Sequence, residues 1–220
     1  MQTTANIDSR GPGQLAVIGA GGHGGVVADA AELLGWTVAF FDDHAQGAIA
    51  GWPLVGTVSD LLDAPQRVDG AIVAIGNNRV RLDLTRRLIA AGVFVTTIVH
   101  PSATVSLRAR LGGGTFVAAA AVVNLGASLG LATIVNTGAS VDHDCLLADG
   151  VHLSPGVHLS GTVAIGERTW LGTGSSVRNN LVIGRDAIVG VGSAVVADIP
   201  DGVVVQGVPA RVVRENPALL

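Results

Sequence analysis

From Val99 onward the apolar positions recur every six residues. Val99, Val105, Leu111, Val117, Val123 and each sixth residue after them, through to Val195, are aliphatic without a slip of register. Hydrophobic residues make up 49% of the chain, so a run of this length arises by chance on the order of once in 10⁵. A helix cannot hold a period of six, and a plain strand has a period of two. Short strands separated by turns, three to a coil, do fit, and each coil buries its aliphatics only by stacking on its neighbours. The repeat is long enough for about five to six such coils.

A second lane lies two residues before each aliphatic: Thr97, Ala103, Ala109, Thr115, Ala121, Ala127, Thr133, Ala139 and Cys145, then mostly Val, Thr, Ser and Ala. Small residues beside branched ones suit a narrow stacked core. Cys145 falls in this lane and reads as core rather than nucleophile. Glycines recur just after the aliphatic, at Gly112, Gly130, Gly166, Gly172, Gly184 and Gly190. They are expected in turn geometries that other residues resist.

The first part of the chain follows a different rhythm. Leu15 to Ile18 reads as a strand and runs into Gly19-Ala-Gly-Gly-His-Gly-Gly25. Val26, Val27, Ala30, Ala31, Leu33 and Leu34 then recur at helical spacing until Gly35. Trp36 to Phe41 is a second strand ending in Asp42-Asp43. Ala71 to Ile75 is a third, followed by Gly76-Asn77-Asn78. Val80 to Ala91 reads as a helix, and Val93 to Val99 as a last strand before His100-Pro101. Strands alternating with helices predict a small parallel α/β unit. A glycine-rich strand-to-helix turn can set backbone N–H groups against phosphates. The acid pair suits contact with a ribose or base, or simply starts a turn.

Composition narrows the function. The chain has 220 residues, charged residues are only 14% and net charge is −4. The 13 basic residues are all arginine, which suits bidentate phosphate contact. This balance leaves no basic footprint for nucleic acid. No apolar run approaches the roughly 18 to 20 residues of a membrane span, and Met1 to Gly13 shows no signal-peptide pattern. One cysteine excludes an internal disulfide framework and fits a reducing cytoplasm. The expected organisation is a leader at 1–13, a Rossmann-like domain at 14–98, a β-helix with C-terminal turn at 99–214 and a tail at 215–220.

The period of six resembles the hexapeptide-repeat acyltransferases. GAGGHG, then FFDD, then AIGNN, then the hexapeptide repeat, resembles the nucleotide-sugar 4-amino N-acetyltransferases within the sialic-acid O-acetyltransferase-like group, across about residues 14 to 214. The resemblance implies a left-handed parallel β-helix, an exception to the right-handed crossover rule, and a homotrimer with acyl-CoA between neighbouring prisms. It implies acetyl-CoA as donor and a nucleotide-linked 4-amino sugar as acceptor, with no metal. Gly21, His23 and Gly24 would then meet the pyrophosphate, Asp42 and Asp43 the nucleoside, and Asn77 and Arg79 would lie beside the same site.

The chemistry is acyl transfer from a thioester to an amine. It calls for a base with a pKa near neutrality, which histidine supplies, an acid to orient it and an N–H donor for the oxyanion. Asn136 to Cys145 contains these types. His143 is the expected base and Asp144 its partner, where the family carries His-Glu. Asp142 on the other side leaves the choice of acid open. By the same resemblance Asn136 lies near the reacting groups, His152 near the acetyl group, Gly161 N–H against the thioester carbonyl and Arg211 near a CoA phosphate. His100 and His158 read as structural. Three rivals remain: O-acetylation of sialic acid or another sugar hydroxyl, a zinc enzyme using His143, His152 and His158, and a non-catalytic scaffold that binds a nucleotide sugar.

Overall fold

A computed structural model describes residues 13–216. The leader expected at 1–13, apart from Gly13, and the tail beyond Asn216 lie outside the described residues. The N-terminal unit runs β1 (Gln14–Ile18), α1 (Gly22–Leu33), β2 (Thr37–Phe41), β3 (Leu54–Gly56), α2 (Val58–Asp63), a 3₁₀ turn at Pro65–Arg67, β4 (Gly70–Val73) and α3 (Asn78–Ala90). Its sheet is parallel throughout, in the order β3-β2-β1-β4. Strands β1, β2 and β4 are buried on both faces, with Leu15, Ala16 and Val17 at 0% exposure, as expected of a parallel sheet with covered faces, whereas the edge strand β3 is partly exposed. Thr57 opens α2 through a capping box with Asp60, and the Asn77 side chain caps α3 on Val80 N–H.

Beyond this unit the chain winds as a left-handed parallel β-helix. Each aliphatic of the period-six lane is the second residue of a two-residue strand, from Ile98–Val99 to Ala194–Val195. Strands eighteen residues apart pair in register: Ile134↔His152 and His152↔Trp170 on one face, Ser140↔His158 on the next, Leu146↔Ala164 on the third. The aliphatic lane and the small lane together form one continuous core. Each buried aliphatic contributes roughly 1.5–3 kcal/mol, realised only when the next coil covers it. A hairpin, Val203–Gly207 with Ala210–Glu215, closes the first face.

Two expectations need correction. Val93 to Val99 is not a strand of the small sheet. It makes a single bridge, Ala71 to Val95, and Ile98–Val99 already belongs to the first coil. The segment has to cross from one sheet to another, so it cannot pair along its length with either. The glycines just after the aliphatic are not there for left-handed backbone. At Gly112 a Cβ would strike the backbone of Gly130 in the next coil, so the requirement is close approach at the corner. The left-handed residues lie two places further on. Every sixth residue from Gly114 to Gly192 has positive φ, and the set includes Ala120, Ala132, Asp144, Thr162, Arg168, Asn180 and Asp186 as well as glycines.

The two parts share a core. Ile98, Phe116, Ala118 and Ile134 of the first face pack with Val27, Ala31, Trp36 and Phe40. Across α3, Arg86 bridges to Asp149 and Glu167 on the β-helix, each at 3.0 Å. This exposed bridge is worth little by itself. The buried contacts of α3 matter more to the site.

Candidate active site

The corner between the second and third faces carries His143 and Asp144. Thr162 N–H donates to the His143 carbonyl at 2.9 Å, and Asp144 N–H donates to the Leu125 carbonyl at 3.0 Å, so the corner is held by the coils on either side. The imidazole Nδ1 lies 3.0 Å from Asp144 Oδ2. Asp142 is engaged elsewhere, accepting from His143 N–H at 2.8 Å and Asn124 Nδ2 at 2.9 Å. The hydrogen bond that His143 Nδ1–H donates to Asp144 raises the His143 pKa above the ordinary imidazole value, aided by the charges of Asp142 and Asp144. Two glycines make room for the pair. A Cβ on Gly126, at φ +75°, would meet Asp144, and one on Gly161 would fall on the His143 ring. Gly161 therefore lies directly against Nε2, the nitrogen not used by Asp144.

His152 and Asn136 lie elsewhere, on the first face and at its edge. Asn136 Nδ2 is 3.4 Å from His152 Nε2. His152 continues a ladder of rings: Phe116 to His23 at 5.6 Å, His23 to His152 at 6.4 Å, His152 to Trp170 at 6.5 Å. Trp170 is fixed by Nε1–H donating to Ser154 Oγ at 2.7 Å. Burial, reinforced by the Arg81 cation, pulls the pKa of His23 down to about 4 and that of His152 to about 3. Both rings are neutral at physiological pH.

Next to His152 a cleft of about 610 Å³ opens between the two parts of the chain. The loop Gly76-Asn77-Asn78-Arg79-Val80 forms one wall. His152, Arg168, Trp170, Asp186, Ile188 and Asn216 form the other. Arg168 and Asp186 make a bidentate pair at 2.8 and 2.7 Å. Asn78 Nδ2 donates to the Arg168 carbonyl at 2.8 Å. The cleft thus combines an apolar floor, an α3 N-terminus and cationic side chains, which suits a long ligand with phosphates.

The glycine turn and the acid pair are neighbours. Asp42 Oδ2 accepts from Ala20 N–H at 2.8 Å, and its Oδ1 from His44 and Ala45 N–H at 2.8 and 2.9 Å. Burial pushes the Asp42 carboxyl up, but these three bonds outweigh it and hold it below the usual range. Asp43 accepts from Val58 N–H at 2.9 Å at the start of α2. Gly21 leaves open space above the first turn of α1, whereas Gly24 is packed on the Gly19 carbonyl and Phe40. The His23 ring points towards Phe116 and His152. Arg211 stands on the C-terminal hairpin, with an NH1 bond to the Ala210 carbonyl.

The structure gathers the predicted residues into three places: His143, Asp144 and Gly161 at one corner; Asn136, His152, His23, Asn77 and Arg79 around the first-face cleft; and Gly21, Gly24, Asp42 and Asp43 at the carboxyl ends of β1 and β2. Arg211 stands apart. Sequence reasoning missed Arg81, Trp170 and the Arg168–Asp186 pair. Arg81 had a signal, since it lies seven residues before Leu88 on the buried stripe of α3. His158 bonds Ser140 Oγ at 2.9 Å, and among the described residues no group of three or more His, Cys, Asp or Glu is arranged to hold a metal ion.

A β-helix of three-strand coils joined to a short α/β unit, with an exposed His–Asp pair at a coil corner, defines a hexapeptide-repeat acyltransferase. Residues 14–88 match the family model described as the PglD N-terminal domain. Over its length the fold superposes on the acetyltransferase domain of PglB from Neisseria gonorrhoeae FA1090, solved with acetyl coenzyme A. That domain is 47% identical, with a TM-score of 0.89, covering 92% of this chain and 100% of that one. It also superposes on PerB from Caulobacter crescentus, solved with CoA and GDP-perosamine, at 40% identity and TM-score 0.86, covering 95% and 100%. UDP-N-acetylbacillosamine N-acetyltransferase of Bacillus subtilis (strain 168) is 38% identical over 111 residues, 48% of this chain; the match spans about half (51%) of that relative's length. The chain belongs to the PglD-type family of nucleotide-sugar N-acetyltransferases.

Proposed function

We propose that the protein transfers an acetyl group from acetyl-CoA to the 4-amino group of a nucleotide-linked amino-dideoxy sugar, the acceptor being GDP-perosamine or a UDP- or dTDP-linked analogue. The single observation that carries this reading is the His143–Asp144 pair, with Gly161 against Nε2. Asp144 fixes the proton on Nδ1 and leaves Nε2 free to accept one. The neutral amine attacks the thioester carbonyl, Nε2 takes its proton as the new C–N bond forms, and the C–S bond breaks. The proton then passes to the departing thiolate, so His143 is restored. An N–H of Gly161 beside Nε2 suits the oxyanion.

The cleft at His152 supports the binding half of the reading. Its apolar side, Trp170 and Ile188, suits a pantetheine arm, and its cationic side suits phosphates. Gly21, Asp42, Asp43, Asn77 and Arg79 belong to the nucleotide-sugar end, and His152 and Arg211 to the acetyl-CoA end. His143 lies on a different corner from Asn136 and His152. The reading therefore requires a second copy, and a homotrimer supplies one at each interface. The described residues contain no helix long and apolar enough to cross a membrane, and the reading sets the reaction in the cytoplasm.

The test is free-thiol release from acetyl-CoA with UDP-, dTDP- and GDP-linked 4-amino sugars, sialic acid and a no-acceptor control. Release with one amino sugar alone is expected. Release with sialic acid only would overturn the reading in favour of O-acetylation.

A further inference from the structure

The turn between β1 and α1 is held to the end of β2 by two bonds. Gly19 N–H donates to the Phe41 carbonyl at 3.0 Å, and Ala20 N–H donates to Asp42 Oδ2 at 2.8 Å. The second bond depends on a side chain. The same carboxylate also reaches the other way, Oδ1 accepting from His44 and Ala45 N–H at 2.8 and 2.9 Å. Asp42 therefore ties the glycine turn to the loop after β2. Beyond the turn, α1 opens at Gly21 with no side-chain cap. Among the described residues the N–H groups of Gly22, His23 and Gly24 meet no acceptor. A Cβ on Gly21 or Gly22 would meet nothing within 4 Å, so the space above these donors is open. Gly24, packed on Gly19 and Phe40, fixes where α1 starts. The Ala20 bond to Asp42 fixes how the turn before it is aimed.

An acid about twenty residues after a glycine-rich turn is ordinarily a ribose ligand, and Asp42 has that spacing. Its lone pairs are already committed. A carboxylate offers about four acceptor sites, and backbone N–H groups take three of them at Asp42. Asp43 differs. It is exposed, its Oδ1 accepts from Val58 N–H at 2.9 Å, and its Oδ2 accepts nothing from the described residues. We propose that the two acids divide the work: Asp42 is a positioning residue that holds the Ala20–Gly21 turn so that the first N–H groups of α1 converge on the acceptor's pyrophosphate, and Asp43 meets the nucleoside with Oδ2. This assignment rests on the reading of these residues as the nucleotide-sugar end. The possible roles of Asp42 differ in sign. A carboxylate beside a bound pyrophosphate repels it, so a bystander or a nucleoside ligand at this place weakens binding of the bare anion. A positioning Asp42 strengthens that binding in spite of its charge.

The test is titration calorimetry of the full chain with inorganic pyrophosphate and with UDP, dTDP and GDP. Asp42→Asn keeps the shape and one acceptor oxygen, but turns an NH₂ group towards either Ala20 N–H or the His44 and Ala45 pair. It is expected to weaken pyrophosphate and the preferred nucleotide alike, by about tenfold, although it removes a negative charge. Asp43→Asn keeps the oxygen facing Val58 N–H and loses the free one. It should weaken the nucleotide by a similar factor and leave pyrophosphate as tight as in the wild type or tighter. Leu88→Ala, in the core of the same unit, supplies a control that is destabilised away from the turn, and should lower the melting temperature with both affinities kept. Tighter or unchanged pyrophosphate binding by Asp42→Asn would overturn the proposal, as would a wild type that binds no pyrophosphate. If Leu88→Ala reproduces the losses of Asp42→Asn, Asp42 is only structural. Binding needs no turnover, so the titrations decide the roles of the two acids even if no amino sugar is acetylated and the parent reading fails.

Discussion

At His143 the hydrogen bond to Asp144 orients the ring and is the largest influence raising its basicity. Replacing His143 by Ala should lower kcat by about 10²–10⁴-fold with CoA binding retained, as read by thiol release and by titration calorimetry. Asp144 raises the imidazole pKa, and a base must be unprotonated to act. The acid limb of kcat/KM should therefore have its midpoint above the ordinary imidazole value. Asp144→Asn removes the largest raising influence, so the limb should move to lower pH while the plateau falls. An unmoved limb in that variant would show that another group titrates. His23 and His152 work in the opposite sense. Their folded pKa values, about 4 and about 3, lie below the ordinary 6.5. The unfolded chain thus binds more protons as pH falls below 6.5, and stability present above that pH is lost progressively through about 4 and 3. Melting temperatures taken from pH 7.5 to 4.5 should fall, and less steeply in His23→Asn.

Within the repeating coil the same residue type serves two ends. Gly112 faces backbone of the next coil, and Gly161 faces the ring of an exposed histidine. Gly112→Ala should cost about 1–3 kcal/mol of stability through overpacking, seen as a lower melting temperature with kcat unchanged. Gly161→Ala should leave the melting temperature nearly unaltered, because the imidazole can swing aside, yet cut kcat at least about tenfold. This division also marks what was legible in the chain. The aliphatic lane was visible because it has one period and one physical cause, burial against the neighbouring coil. The corner position of His143 and Asp144 was visible because that register frames it. The left-handed corner lane was not, since Ala, Asp, Thr, Arg and Asn occupy it alongside glycine and blur the expected signal. The segment Pro53 to Gly70, with β3 and α2, carries too little periodicity to read. Arg81 was missed because an arginine on a helix is ordinarily assigned to solvent, and its burial is explained by carbonyls far away in sequence, on two successive coils, together with those of Ile75 and Gly76.

The whole prism raises a problem that no single residue solves. His143 sits at the corner after Ser140–Val141, while His152 lies on the face that also carries Ile134 and Trp170. One chain therefore presents His143 and the cleft on different sides, and the proposed homotrimer would bring the two together at each of its interfaces. This makes the variants complementary. His143→Ala and His152→Ala, each nearly inactive alone, should regain activity when unfolded together and refolded as a mixture. If chains assort at random in equal amounts, about one interface in four receives His143 from one copy and His152 from the other, so about a quarter of wild-type kcat is expected per site. Mass measurement in solution gives the copy number independently. A mixture that stays as inactive as its parents, in an assembly shown to have exchanged chains, would place base and cleft in the service of one chain.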